Sequence, residues 1–197
     1  MSIKLGLTGS IGMGKSTTAN FFREFGVPVW DADAEVHRLY AVGGAAVAPI
    51  GALVPEATKQ GLVDRKILKS KIARDESLLE KIEAVVRPLL AESRQNFHTQ
   101  HKKSAVMLFD IPLLYETDSE GWMDYVLVVT APEHVQRQRV LARGAMDEAL
   151  LNTILARQMP DIEKRALADF IFDTSQGMAH TKAEVKALIE ALEQEDA

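Results

Sequence analysis

The sequence predicts an α/β fold built on a doubly wound, mainly five-stranded parallel sheet. Along the 197 residues, five short apolar segments have the length of buried strands, and amphipathic helical patterns separate them. A glycine-rich loop joins the first strand to the first helix, and aspartates follow two further strands. Polar groups in these positions meet at the carboxyl edge of an open sheet, where ligands bind. We therefore expect a ligand site at that edge.

The first element is the loop Gly9-Ser10-Ile11-Gly12-Met13-Gly14-Lys15-Ser16, which fits the phosphate-binding pattern G-x-x-x-x-G-K-[ST]. Residues 3–8 alternate as a strand does, and residues 17–25 carry one apolar helix face. Glycines let consecutive backbone N–H groups turn toward a phosphate, and the helix N-terminus adds partial positive charge. Nucleotide phosphates are therefore expected at Gly12, Met13, Gly14, Lys15, Ser16 and Thr17.

Within this loop, the lysine and the serine have separate expected tasks. Lys15 can reach the outer phosphates of a nucleotide, and the Ser16 hydroxyl can ligate Mg²⁺. The pattern does not distinguish a kinase from a GTPase or an ATP-driven machine.

The second predicted strand, residues 27–30, ends at Asp31-Ala32-Asp33. Either aspartate can lie in a ligand site at the sheet edge or cap the helix predicted over residues 34–40. His37 follows Asp33 by one helical turn and can share its face. Residues 39–55 are interrupted by glycine and proline, so we predict a turn-rich connection there.

A helical layer is predicted over about residues 61–101 as an insertion between strands. Asp64 and Asp75 are candidate helix caps. Pro88 is expected to bend or break this run, because it lacks a backbone donor and clashes with the preceding turn.

The third predicted strand closes on Asp110, whose carboxylate can hold Mg²⁺ beside a phosphate loop; a turn aspartate before Pro112 is the alternative. The fourth strand covers residues 124–130. The sequence Thr130-Ala131-Pro132-Glu133 then predicts a capping box for the next helix.

Arginines cluster after the fourth strand, at Arg137, Arg139, Arg143 and Arg157. Such a cluster suits a closing lid, since phosphoryl transfer spreads negative charge over equatorial oxygens, although each arginine alone is typical of a surface. A fifth strand at residues 170–173 precedes a terminal helix, for which Thr181-x-x-Glu184 is the predicted cap.

The charge and composition of the chain exclude several classes of protein and site. The formal charge of −5, without dense basic runs, argues against nucleic-acid binding. The absence of cysteine excludes disulfides and thiolate metal sites, and no apolar signal segment follows the first residue. We expect a cytoplasmic protein without a membrane partner, present as a monomer or weak oligomer.

Taken together, these residues resemble the dephospho-CoA kinase family over essentially the whole chain. The resemblance rests on residues 6–17, Asp31-Ala32-Asp33 with His37, Asp110-Ile111-Pro112-Leu113-Leu114 with Glu116, and further along on Gln136, Arg139, Arg143, Gln158, Lys164-Arg165 and Ala168-Asp169. It implies a P-loop NTPase fold like that of nucleoside monophosphate kinases. It also implies a helical CoA-binding subdomain at about 61–101 and a lid at about 144–160.

The implied reaction transfers the ATP γ-phosphate to the ribose 3′-hydroxyl of dephospho-CoA with Mg²⁺, giving ADP and CoA. Carried onto this sequence, the family's catalytic residues are Asp33, Lys15, Arg139 and Arg143. Its substrate-binding residues are Asp33, His37, Arg65, Asp110 and Leu113, and its metal ligands are Ser16 and Asp110. The chain departs from the family at Arg87, where histidine is frequent, and at Thr174, where asparagine is frequent.

Two alternatives stay open at this point. The first is another small-molecule P-loop kinase with a nucleoside, nucleotide or alcohol acceptor. The second is a regulatory GTPase, because Asp118-Ser119-Glu120-Gly121 matches D-x-x-G. That motif lies several residues beyond the strand ending at Asp110, and the chain has no Asn-Lys-x-Asp sequence to read guanine.

Overall fold

The computed structural model describes residues 2–144 and 146–195. In chain order its elements are β1 (Ile3–Thr8), α1 (Lys15–Glu24), β2 (Val29–Asp31), α2 (Ala32–Tyr40), α3 (Val47–Leu53), β3 (Thr58–Lys59), β4 (Leu62–Val63), α4 (Arg65–Ile72), α5 (Ser77–His101), β5 (Val106–Asp110), β6 (Tyr125–Thr130), α6 (Glu133–Ala142), α7 (Glu148–Leu155), α8 (Asp161–Ala166), β7 (Phe170–Asp173) and α9 (Met178–Glu195). Among the described residues, no helix combines the length and apolar character needed to cross a bilayer.

Five strands form a parallel sheet in the order β2-β5-β1-β6-β7, which confirms the predicted fold class. The central strand β1 pairs with β5 on one side and β6 on the other. Leu7 lies opposite Asp110, and Thr130 lies opposite Asp173, so the carboxyl ends of these strands are aligned. Because β1 is flanked by strands from later in the chain, the loop that follows it lies at a topological switch point, where such sheets bind ligands.

The chain divides into two compact units. One comprises the described residues up to Trp30 and from His101 onward, and the other comprises Asp31–Gln100. The core of the first unit joins β1 and β6 to helices α1 and α9, with Leu5, Phe22, Leu127 and Leu192 fully or almost fully buried. The core of the second unit has its own apolar cluster, which includes Leu39, Ile50, Leu68, Ile82 and Val86.

The segment predicted as a turn-rich connection, residues 39–55, is instead part of the second unit's core. It contains helix α3, and Ile50 and Val54 are buried. Pro49 lies in the first turn of α3, where its missing N–H removes no helical hydrogen bond. The helical unit is therefore longer than the segment 61–101, and it begins at Asp31.

Pro88 does not break the long helix, which runs without interruption from Ser77 to His101. Ile82 and Val86 are buried on the apolar face of α5, just before the proline. Tertiary packing of such a face supplies most helical stability, which offsets the single backbone hydrogen bond that proline removes.

Two predicted caps are wrong, while two others hold. Thr130 does not cap α6: its hydroxyl donates to Asp161 Oδ2 at 2.7 Å, and Pro132 occupies the N-cap position. Thr181 lies inside α9 and donates to the Gly177 carbonyl, because the helix already begins at Met178. Asp64 holds at the start of α4 and Asp75 at the start of α5, where each side chain accepts a hydrogen bond from a backbone N–H.

Candidate active site

The glycine loop after β1 leads into an uncapped helix N-terminus. Gly14 occupies the N-cap of α1 at φ 92°, in the left-handed region that favours glycine, and no side chain in the described part of the chain caps the helix. The first turn of α1 carries no acidic residue. The N–H groups there can therefore receive an anion, with the favourable end of the helix dipole behind them.

A second glycine of the loop is fixed by close packing. A Cβ atom on Gly12 would lie 2.5 Å from Val140 Cγ2 and 3.1 Å from the Gln136 carbonyl oxygen, both on α6. No real Cβ atom tolerates the shorter of these distances, so the backbone approaches α6 as only glycine allows.

Lys15 and Asp110 form an ion pair directly beside the loop. Lys15 Nζ lies 2.6 Å from Asp110 Oδ1, and the two side chains are only 15% and 4% exposed. Asp110 is the last residue of β5 and lies opposite Leu7 of β1, so the sheet register brings the carboxylate to the loop. The predicted phosphate lysine and metal carboxylate are thus neighbours at the carboxyl edge.

The oxygen donors here fit a hydrated Mg²⁺ ion. The Ser16 hydroxyl is exposed in the first turn of α1, and the Asp110 carboxylate ends the adjacent strand. Mg²⁺ prefers oxygen ligands and usually takes one or two from protein, the rest coming from water and phosphate. Within the described residues, no cluster of three or more His, Cys, Asp or Glu side chains offers an all-protein metal site.

A cavity of about 340 Å³ opens beside the loop. It is lined by Gly12, Gly14, Thr17, Thr18, Arg139, Arg143, Thr174, Gly177, Met178 and Thr181. Arg139 and Arg143, both predicted as site residues, thus line the same cavity as the phosphate loop. Local patterns indicate only a helix cap at Thr181 and no ligand contact for residues 177–181, which enter the site because α9 begins shortly after the last sheet strand.

Thr174 connects three parts of this site. The sequence identified it only as a position where the resembled family frequently has asparagine. Its hydroxyl oxygen lies 2.9 Å from the Met13 carbonyl oxygen and 3.2 Å from that of Thr130. Arg139 donates to the Thr174 hydroxyl and to its carbonyl oxygen, both at 2.8 Å. The guanidinium of Arg139 is therefore held in a fixed orientation at the cavity wall.

The predicted acceptor-side residues lie in the second unit. Asp31 Oδ1 accepts a hydrogen bond from the Ala34 N–H at 2.9 Å, so Asp31 is the cap of α2. Asp33 lies in the first turn of α2 and is exposed. Capping therefore accounts for Asp31 and leaves the Asp33 carboxylate for another role.

His37 and Arg65 are brought together in the second unit. Arg65 Nη1 lies 2.6 Å from His37 Nε2, and a guanidinium can only donate, so the arginine is the donor in this contact. Leu113, by contrast, belongs to the first unit, on the exposed turn that follows β5.

A buried ion pair supports the segment after α7. Lys164 is fully buried, and its Nζ lies 2.8 Å from Glu116 Oε1, which also accepts a hydrogen bond from the Met159 N–H at 2.8 Å. Burial raises the pKa of Glu116, but the Lys164 ammonium and the N–H donors outweigh it, so the pKa lies below the ordinary glutamate value. Glu116 and Lys164 are both among the residues on which the family resemblance rests, but the sequence does not indicate that they form an ion pair.

Comparison with known proteins gives one consistent result. A family model described as dephospho-CoA kinase matches residues 3–180. A dephospho-CoA kinase from Cereibacter sphaeroides is 58% identical, over 94% of this chain and 93% of that protein. One from Jannaschia sp. is 54% identical, over 98% of both. A crystal structure from Thermus thermophilus has a TM-score of 0.85 at 31% identity, covering 97% of this chain and 98% of the other.

Proposed function

The chain belongs to the dephospho-CoA kinase family, and from this membership we propose that it transfers the γ-phosphate of ATP to the ribose 3′-hydroxyl of dephospho-CoA. The products are ADP and CoA. The observation that carries the proposal is the Lys15–Asp110 pair at the glycine loop, in a chain similar to dephospho-CoA kinases over almost its full length. The membership also confirms the family predicted from the motifs.

In the proposed reaction, the loop and its lysine hold the triphosphate. The uncapped N–H groups at the start of α1 receive phosphate oxygens, and the Lys15 ammonium moves from Asp110 to the outer phosphates. Arg139 and Arg143 add positive charge from the cavity wall, where negative charge builds up on the transferred group.

We propose Ser16 and Asp110 as the Mg²⁺ ligands. Bound there with ATP, the ion would neutralise charge on the phosphate oxygens. The exposed hydroxyl and the buried carboxylate support this assignment, since both donors are of the type that Mg²⁺ prefers.

For the acceptor, we propose that Asp33 receives or orients the proton of the attacking 3′-hydroxyl. Its exposed position in the first turn of α2, with the capping role taken by Asp31, supports this assignment. General-base help of this kind contributes about 10²- to 10⁴-fold, while positioning and electrostatics contribute the rest. His37, Arg65 and Leu113 are proposed to bind the substrate.

The helical unit at residues 31–100 is the proposed CoA-binding subdomain, and it contains all but the last residue of the segment 61–101 expected for that role. Residues 144–160 are the proposed lid, of which Ala145 lies outside the described residues. An ATP-consuming enzyme whose chain contains no cysteine needs no oxidising compartment, which supports a cytoplasmic location.

The experiment that tests this function is a comparison of acceptors. ADP formation from ATP is measured with dephospho-CoA, adenosine, AMP and shikimate at equal concentrations. We expect turnover with dephospho-CoA to exceed that with the other three by at least about 100-fold, as expected for a site that hydrogen-bonds its substrate. Turnover of another acceptor, with none of dephospho-CoA, would assign the chain to a different small-molecule kinase.

The GTPase alternative has a separate outcome. Such a protein would bind GTP in preference to ATP and would hydrolyse it without an acceptor. The D-x-x-G segment gives it little support, because Asp118 lies in the turn region between β5 and β6, eight residues beyond the end of β5.

A further inference from the structure

Both backbone polar groups of Ile11, in the middle of the phosphate loop, are bound by glutamine side chains. The Ile11 N–H donates to Gln158 Oε1 at 3.2 Å, and the Ile11 carbonyl accepts from Gln136 Nε2 at 2.7 Å. Gln136 lies on α6 and is 4% exposed, whereas Gln158 follows α7. Two segments far apart in sequence from the loop therefore hold a single residue of it.

These two contacts fix two successive peptide planes. The carbonyl and N–H of a trans peptide point in opposite directions. The contact with Gln136 therefore turns the Gly12 N–H away from α6. The contact with Gln158 likewise fixes the plane that carries the Ser10 carbonyl, which accepts a hydrogen bond from the Met13 N–H at 3.1 Å.

The position of Gln158 is itself determined by its neighbours. The next N–H along the chain, that of Met159, donates to Glu116 Oε1, and Glu116 is paired with the fully buried Lys164. On the other side, Val140 and Gln136 pack directly against Gly12. The loop is thus held between α6 and the segment that follows α7.

We propose that Gln136 and Gln158 are positioning residues that orient the phosphate loop for the β-phosphate of the nucleotide, and that Gln158 couples this orientation to the α7 segment. The inference rests on the proposed nucleotide site. An amide is suited to each task because it offers a donor and an acceptor without a charge that would repel phosphate. Both glutamines bind the Ile11 backbone, and each therefore acts through that backbone.

The test compares two nucleotides that differ in the β-phosphate. Dissociation constants of ADP and AMP are measured by calorimetry for the unaltered chain and for the variants Gln158→Met and Gln136→Met. Methionine keeps the length of the side chain but has no amide. We expect each substitution to weaken ADP binding by about 3- to 10-fold, the factor that one hydrogen bond contributes, and to change AMP binding less than twofold. The control is Gln138→Met, an exposed glutamine on the same helix α6, which should change neither constant.

A further pair of variants tests the direction of each hydrogen bond. Gln158→Glu keeps an oxygen acceptor for the Ile11 N–H, whereas Gln136→Glu has no amide donor for the Ile11 carbonyl. The first should bind ADP more tightly than the second, although both carry the same added charge, and this comparison still serves if a methionine variant does not fold. Equal losses for ADP and AMP, or unchanged ADP binding in both methionine variants, would overturn the inference. Failure of the unaltered chain to bind ADP would instead reject the proposed function.

Discussion

Lys15 Nζ lies 2.6 Å from Asp110 Oδ1, and both side chains are largely withdrawn from water. The pair joins the N-terminus of α1 to the carboxyl end of β5. A charge removed from water is costly unless it is paired, so each residue stabilises the other before any ligand binds. A triphosphate and its cation can replace both partners, because they supply the opposite charge to each.

Substitution of the loop lysine tests this relationship. Lys15→Ala should weaken ATP binding and lower kcat, with kcat/KM reduced by at least about 100-fold, as for other groups that stabilise charge in a transition state. Steady-state kinetics with dephospho-CoA as acceptor measures the effect. The control is Lys186→Ala, at an exposed lysine of α9, which should behave as the unaltered chain. Unchanged kinetics for Lys15→Ala would place the loop outside the active site.

The two aspartates that follow β2 should respond differently. Asp33→Asn should retain ATP binding and lose about 10²-fold or more in kcat, because asparagine cannot accept the hydroxyl proton. Asp31→Ser keeps a capping oxygen for α2 and should leave kcat within about threefold. Calorimetry with ATP and turnover assays on both variants separate binding from chemistry. If Asp33→Asn turned over at a near-normal rate, Asp33 would not be the base.

Thr174 should matter through its hydroxyl. Thr174→Val keeps the shape of the side chain but removes the oxygen that lies beside Met13 and Arg139. We expect the KM for ATP to rise by about 3- to 10-fold, since one hydrogen bond to the loop and one to the guanidinium are lost. Thr174→Ser, which restores a hydroxyl, should recover most of the affinity. If the valine and serine variants had the same KM, the hydroxyl would have no part in nucleotide binding.

The buried pair between Glu116 and Lys164 predicts a pH-dependent contribution to stability. Glu116→Gln leaves the Lys164 ammonium buried without its counter-charge and should lower the free energy of unfolding at pH 7 by about 3 kcal/mol. The pKa of Glu116 is lowered in the folded state. The stabilisation is therefore fully present above the ordinary value of 4.5 and is lost as the pH falls through the lower native value.

Urea unfolding at pH 7 and at pH 3.5 measures this contribution, the lower pH chosen about one unit below the ordinary glutamate value. The difference between the unaltered chain and Glu116→Gln should narrow at the lower pH. The double variant Glu116→Gln with Lys164→Met removes both charges and should be more stable at pH 7 than the single variant. A difference that is independent of pH would mean that the ion pair does not contribute.

The strands of the sheet are predictable from the sequence because buried parallel strands are continuous apolar runs. The strand at Phe170–Asp173 was placed with its observed bounds, and Asp110 was placed at the end of β5. The fold also brings Lys15 to Asp110 and Arg139 to the loop. Local patterns sufficed here because the topology of parallel strands gathers these residues at one edge.

Pairings between distant residues could not be predicted in this way. The capping pattern predicts that the Thr130 hydroxyl binds the start of the next helix. It instead donates to Asp161, which is 31 residues away. Pro88 predicts a bend or a break in its helix, but α5 is unbroken because buried apolar side chains hold it together. The contacts of Ile11 with Gln136 and Gln158 leave no mark in local periodicity, because they depend on the tertiary placement of α6 and the segment after α7.

Following the transferred phosphate tests the proposed reaction. The chain is incubated with ATP labelled in the γ-phosphate and with dephospho-CoA, and the position of the label in the product is determined. The proposed reaction predicts label at the ribose 3′ position of CoA, and the rate of labelling should be lower in both Lys15→Ala and Asp33→Asn. Label found only in inorganic phosphate, or at any other position, would contradict it.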